Sequence, residues 1–201
     1  AATSPCDEEI LHTALMECEA HWGNPSSIHA AGTDARQSLE AARKRTAESL
    51  GVKTDTIYFT SGGTEGDHIP LLALLSKPTK GSAVLSSIEH PALREMSKMI
   101  QNCGWKIINV NPDKNGIIQP DAIADAIQDD TAFVTVMAVN NETGVIQDIA
   151  AMAELAHSAG AVYHCDAVQA FGHVDLPLSC ADLVSLSGHK FGGPRGVGVL
   201  V

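Results

Sequence analysis

Short apolar runs alternating with longer amphipathic stretches predict an α/β protein. The expected architecture is a three-layer α/β/α fold around a seven-stranded, mostly parallel sheet. Two observations carry this. Strand-like runs are joined mostly by helical segments, the pattern of a parallel sheet covered on both faces. The exception is the last link, where only ten residues, Ser187 to Gly196, separate the sixth and seventh runs. A parallel crossover needs about a dozen residues or more, usually including a helix. This link is rich in Gly and Pro, so the last strand (about 197–201) should run antiparallel.

The elements follow in order. Residues 6–21 and 31–50 read as helices, the second closed by Gly51. Ile57 to Thr60 is a short first strand, followed by a helix from Thr64 to Ser76. Ala83 to Ser86 is the second strand, and a helix runs from Pro91 to Asn102. Lys106 to Val110 is the third strand. Pro120 then opens a helix at a position where a missing N–H costs nothing. Phe133 to Val139 reads as the fourth and most apolar strand, and a helix spans Ile149 to Ala159 and stops at Gly160. Strands at 161–165, 183–186 and 197–201 complete the sheet. Residues 1–20 are expected to form an N-terminal arm and residues 21–201 a large domain.

Composition narrows the function classes. A formal net charge of −11 disfavours nucleic acid, whose phosphates need a basic surface. The basic residues gather at Arg36, Arg43, Lys44 and Arg45, with the spacing of a solvated helix face. No apolar run approaches the ~18 residues that suggest a membrane span, and no secretory leader pattern is visible. Five cysteines show neither CxxC nor zinc spacing, so no metal site is expected and a reducing cytoplasm is. The first residue is not Met, which reads as the start of an excerpt or a processed product.

Polar clusters fall after five of the strands, on the carboxyl edge where open α/β sheets bind ligands. Lys190 lies in Ser187-Gly188-His189-Lys190, directly after an apolar run. A lysine there can be a carbonyl-binding amine beside a phosphate site, the chemistry of a pyridoxal-phosphate (PLP) Schiff base, or a solvated lysine in a turn. Ser61-Gly62-Gly63-Thr64 fits a phosphate cradle, since glycines admit an anion to free N–H groups at a helix start, or it is an ordinary N-cap. Asp166, ending a strand, can hold a pyridinium N–H or cap a helix. His90 can stack on an aromatic cofactor or cap the helix at Pro91. Asn141 and Gln169 can orient a carboxylate or phenolic oxygen, or serve their turns. Neither GxGxxG nor GxxxxGK[ST] spacing occurs, which disfavours NAD and ATP.

Taken together, Phe59-Thr60-Ser61-Gly62-Gly63-Thr64-Glu65, Glu89-His90, Val139-Asn140-Asn141-Glu142-Thr143-Gly144, Asp166-Ala167-Val168-Gln169 and Ser187-Gly188-His189-Lys190 resemble, in order, a cysteine desulfurase of the NifS/IscS type. That places the chain among class V aminotransferase-like, fold-type I PLP enzymes. Ala1-Ala2-Thr3-Ser4-Pro5 and Gly23-Asn24-Pro25-Ser26-Ser27 look like family segments as well. The resemblance implies a PLP-transferase-like large domain. Lys190 would carry the cofactor and move the Cα proton, Asp166 would pair with the pyridine nitrogen, and Gln169 with the phenolic oxygen. His90 would stack on the ring and assist proton transfer. Gly63, Thr64, Ser187 and His189 would bind phosphate, and Asn141 would sit near the substrate carboxylate and the ring oxygen. The implied reaction takes L-cysteine to L-alanine and passes sulfur to a protein cysteine, with an iron–sulfur scaffold as acceptor and a homodimer as the working form.

Family members continue for about as long again. The implied remainder holds the nucleophilic cysteine loop, a substrate-gripping arginine and a small C-terminal domain, so the 201 residues alone are expected to be inactive. None of the five cysteines matches that nucleophile. His68 stands where the family usually has asparagine, and Pro70 falls inside the helix after the phosphate cradle. Selenocysteine lyase, cysteine sulfinate desulfinase, another class V enzyme, and a catalytically silent binding or dimerisation module are the alternatives.

Overall fold

The computed structural model describes residues 3–175 and 177–201. Ala1 and Ala2, the first residues of the expected arm, and Leu176 lie outside the described residues. The helices are α1 (Glu8–Ala20), α2 (Ala30–Leu50), α3 (Gly63–Ala73), α4 (Pro91–Asn102), α5 (Pro120–Ala126) and α6 (Ile149–Ser158). The strands are β1 (Tyr58–Thr60), β2 (Ser82–Ser86), β3 (Lys106–Val110), β4 (Thr131–Thr135), β5 (Val162–Asp166), β6 (Leu183–Ser187) and β7 (Gly198–Leu200).

The strands form one sheet in the order β1-β7-β6-β5-β4-β2-β3. Pairs β2–β3, β2–β4, β4–β5 and β5–β6 are parallel. β7 is antiparallel to both of its neighbours, β6 and β1, as the short glycine-rich link requires. Ser187 pairs with Gly198 at the turn end, and Ser185 with Leu200 further in.

Side-chain alternation covers both faces. Val84 and Val134 pack with Ile123, Ile149 and Met152 from α5 and α6. Ala83, Leu85 and Phe133 pack with Leu71 of α3 and with Leu93 and Ile100 of α4. Neighbouring residues of β2 and β4 thus serve opposite layers, the period-two signature of a strand buried on both sides.

Three details depart from expectation. β4 begins at Thr131 and ends at Thr135, although the apolar run continues to Val139. Beyond Thr135 the Met137 N–H is taken by the carboxylate side chain of Glu89, at 2.8 Å, instead of a strand neighbour. The run stays buried and leaves the regular ladder at Met137, although the Ala138 N–H still donates to the Asp166 carbonyl of β5 at 2.9 Å. The carboxyl ends of β5 and β6 extend to include Asp166 and Ser187, which sets both side chains on the rigid sheet edge. α3 continues through Pro70 and tightens into a 3-10 turn at Leu74–Ser76.

Candidate active site

The carboxyl ends of the strands converge on one cavity of about 180 Å³. All nine residues expected to bind cofactor or substrate line it: Gly63, Thr64, His90, Asn141, Asp166, Gln169, Ser187, His189 and Lys190. An adjoining cavity of about 450 Å³ shares Gly63, Thr64, Ser187 and His189 with it and adds Thr3 and Arg195. His68 lines neither.

The Gly63–Thr64 corner is shaped for an anion. α3 starts after Gly62, whose φ of 154° suits glycine, and no side chain caps its free N–H groups. A Cβ on Gly63 would come within 2.6 Å of a Val168 methyl, so only glycine lets the helix start approach the β5 end. Ser187 Oγ is buried and has no hydrogen-bond partner among the described residues. A buried hydroxyl left unsatisfied is costly, so its presence beside a helix N-terminus marks a place for an acceptor-rich ligand. A phosphate fits that requirement, and the residues present suit PLP.

Asp166 makes a local contact and also lines the cavity. Its Oδ1 accepts the Val168 N–H at 2.9 Å, a local turn contact, and its carboxylate has acceptor capacity for a pocket ligand as well. Burial lifts its pKa to about 6, against the Val168 hydrogen bond and the Lys190 charge, which both favour the ionised form. Lys190 is shifted down by desolvation, with the Asp166 charge acting the other way. A lowered ammonium pKa enlarges the neutral, nucleophilic fraction.

His90 is both a helix cap and a pocket residue. Its Nδ1 accepts the Ala92 N–H at 3.2 Å, so the neutral ring carries its proton on Nε2. Desolvation, then Lys190 and Arg94, push its pKa down, which favours that neutral ring. His189 is shifted down by desolvation and by Lys190 and Arg195.

The N-terminal segment clamps the lysine loop, which local sequence reasoning did not reveal. Ser4 N–H donates to the His189 carbonyl at 2.9 Å, and Asp7 N–H to the Gly192 carbonyl at 3.0 Å. Ser4 Oγ takes the Gly192 N–H at 2.7 Å, while Thr3 Oγ1 meets His189 Nδ1 at 2.9 Å. His173 Nε2 lies 2.9 Å from the Lys190 carbonyl. Two buried acids had no role assigned from the sequence. Asp67 lines the main cavity, and Glu89 sits at the β2–α4 turn with its pKa raised to about 8 by burial. None of the five cysteines lines either cavity.

Comparison with known proteins identifies the family and the fold. Residues 1–201 match the model of the aminotransferase class-V family. The chain is 39% identical over 204 residues to "Cysteine desulfurase IscS" of Methanosarcina thermophila, covering 100% of this chain and 50% of that one. It is 40% identical over 204 residues to "Putative cysteine desulfurase IscS 1" of Bacillus subtilis (strain 168), covering 100% and 54%. The chain therefore spans about half the length of the curated relatives it matches. Among solved structures, a "NIFS-like protein" superposes with a TM-score of 0.92 at 32% identity, covering 99% of this chain and 56% of that one. A structure described as "SspA in complex with cysteine" superposes with a TM-score of 0.91 at 29% identity, covering 99% and 58%.

Proposed function

The chain belongs to the aminotransferase class-V family, and from that premise we propose that it forms the cofactor-binding part of a PLP-dependent cysteine desulfurase. The observation that carries the reading is the partnerless Ser187 hydroxyl at the uncapped start of α3, in one cavity with Lys190 and Asp166. Residues 1–20 serve as an arm and residues 21–201 as the large domain.

When bound, PLP supplies an electron sink for the pair left at the Cα of an amino acid. The protein's own groups do the rest. The α3 N–H groups, Thr64, Ser187 and His189 would hold the phosphate. Asp166 would keep a proton on the ring nitrogen, and Gln169 and Asn141 would orient the phenolic oxygen and the substrate carboxylate. Lys190, with its ammonium destabilised by burial, would supply the amine that holds the cofactor carbonyl and the base that moves the Cα proton. His90 offers its Nε2 proton, since Nδ1 is held by the helix cap.

L-cysteine is the substrate this reading assigns, in keeping with the names of the relatives and the cysteine complex of the SspA structure. Cleavage of its C–S bond yields L-alanine, with sulfur passing to a cysteine thiolate. Cys165 does not suit that step, because burial raises its thiol pKa and it lines neither cavity. The sulfur relay is assigned to a cysteine other than these five. A homodimer, a sulfur-acceptor protein of iron–sulfur cluster assembly and a cytoplasmic setting belong to the same proposal. The five free cysteines fit that setting. Among the described residues no helix is long and apolar enough to cross a membrane.

The test is cofactor capture. Purified protein given PLP should develop a visible absorbance band that borohydride fixes covalently to Lys190, and L-cysteine should perturb that band. Lys190→Ala should lose the covalent label. A wild-type protein that stays colourless and unlabelled overturns the reading.

A further inference from the structure

Asp67 occupies the second turn of α3, is 1% exposed, and lines the cavity together with Asp166 and Lys190. Its Oδ1 has no hydrogen-bond partner. His164 Nε2 lies 3.8 Å from that oxygen, too far for a hydrogen bond. Nor does His164 supply a charge, because complete burial lowers its pKa to about 3 and leaves the ring neutral.

Behind Asp67 runs a chain of fully buried polar groups, Thr135, His164 and Ser185. Thr135 Oγ1 meets His164 Nδ1 at 2.9 Å, and His164 Nε2 meets Ser185 Oγ at 2.9 Å. Ser185 packs against Gly66 of α3, next in sequence to Asp67, and its hydroxyl works against the rise in the Asp67 pKa. The titratable groups that bear on Asp67 are Asp166 and His164 from β5 and Glu89 from the β2–α4 turn. Glu65, on α3 itself, is exposed and engaged with the Ser61 N–H.

Two neighbouring buried carboxyls cannot both be ionised cheaply. Asp166 has the Val168 N–H and the Lys190 charge to support an anion. Asp67 has a bare buried oxygen, the arrangement in which ionisation costs most.

We propose that Asp67 is a positioning residue of this pocket: it carries the proton of an Asp67–Asp166 pair and so keeps Asp166 as the carboxylate that faces a bound ring nitrogen. Burial and the Asp166 charge, both of which raise the Asp67 pKa, support this assignment. The polar chain then has one sense. In this assignment the Asp67 O–H turns towards Ser185 Oγ, which leaves Ser185 O–H to donate to His164 Nε2 and His164 Nδ1–H to donate to Thr135 Oγ1. Ionising Asp67 reverses every link and moves the His164 proton to Nε2. The inference rests on the PLP reading only for what Asp166 faces, because the placement of the proton belongs to the protein alone.

Carboxyl-carbon and imidazole-nitrogen NMR titrations of the PLP-free protein test this without turnover. At neutral pH Asp67 should be protonated and His164 should carry its proton on Nδ1. Asp166→Asn should weaken the Asp67 proton affinity by about tenfold or more, because it removes the opposing charge. A protein in which Asp67 is ionised at neutral pH with His164 protonated on Nε2 overturns the proposal. So does an Asp67 titration indifferent to Asp166→Asn. Asp67→Asn, a neutral isostere able to donate to Ser185, should bind PLP within about threefold of wild type at neutral pH, and a larger loss counts against the pairing. Wild-type protein that shows the expected protonation yet takes up no PLP supports the pairing and overturns the cofactor reading.

Discussion

Replacing Glu89 by Gln should stabilise this protein, and by an amount that grows with pH. Glu89 is 2% exposed. Its Oε1 accepts the Met137 N–H at 2.8 Å and also the Ser86 hydroxyl, while Oε2 has no partner. Burial first, with the Asp166 charge adding to it, raises its pKa from 4.5 to about 8. A carboxyl raised on folding binds its proton more tightly in the native state than in the unfolded one. Its contribution to stability is full below about pH 4.5 and is lost as pH rises towards about 8. Each pH unit in that window is worth about 1.4 kcal/mol, so the whole window amounts to roughly 5 kcal/mol.

The Glu89→Gln variant keeps the two contacts, since the amide oxygen can accept from Met137 and Ser86, and the amide never ionises. Near pH 5 the two proteins should differ by about 1 kcal/mol or less, the scale of one exchanged hydrogen bond. The gap should then widen in favour of the variant by about 1.4 kcal/mol per pH unit and level off above about pH 8. Urea denaturation of both proteins across this range measures the gap. Groups common to both, such as Asp67 and His164, cancel to first order in the difference. A gap that does not change with pH would refute the picture of a buried, protonated Glu89.

Two further outcomes follow from the site. Ser187→Ala removes an unpartnered buried hydroxyl, so the PLP-free protein should be as stable or slightly more so, while PLP affinity falls about tenfold, the worth of one charge-assisted hydrogen bond; calorimetric melting and a PLP titration read the two effects separately. Ser4→Ala deletes the acceptor of the Gly192 N–H and one donor to the His189 carbonyl, and hydrogen exchange at Gly192 should accelerate by about tenfold or more, with little change at core amides such as Val134.

The residues that face the cavity were legible because their signals are local. Asp166 and Lys190 follow apolar runs within a few positions, and the ten-residue link after Ser187 alone dictates that β7 turns back against β6. His90 carried two readings in the sequence, cap and cofactor contact, and the geometry makes them compatible: the cap uses Nδ1 and the ring still lines the pocket. The end of β4 was misplaced because hydrophobicity reports burial and not pairing. Val136 to Val139 are buried as expected, yet the N–H at Met137 belongs to Glu89.

What escaped was the set of groups that hold the pocket in shape. Asp67 stands between Gly66 and His68 in a run with Glu65, and nothing in that order says which face α3 turns towards β6. The answer depends on packing between elements more than a hundred residues apart, as do the contacts of Ser4 with His189 and Gly192. Buried acids are cheap to hide in a sequence and costly to hide in a fold, because each must find a proton, a donor or a cation once water is gone. Glu89 and Asp67 each leave one oxygen without a partner, while Asp166 has the Val168 N–H and the nearby Lys190 charge. That asymmetry places the anion at Asp166 and makes Asp67 and Glu89 proton carriers, a division of labour set by tertiary structure among three residues that look alike in the sequence.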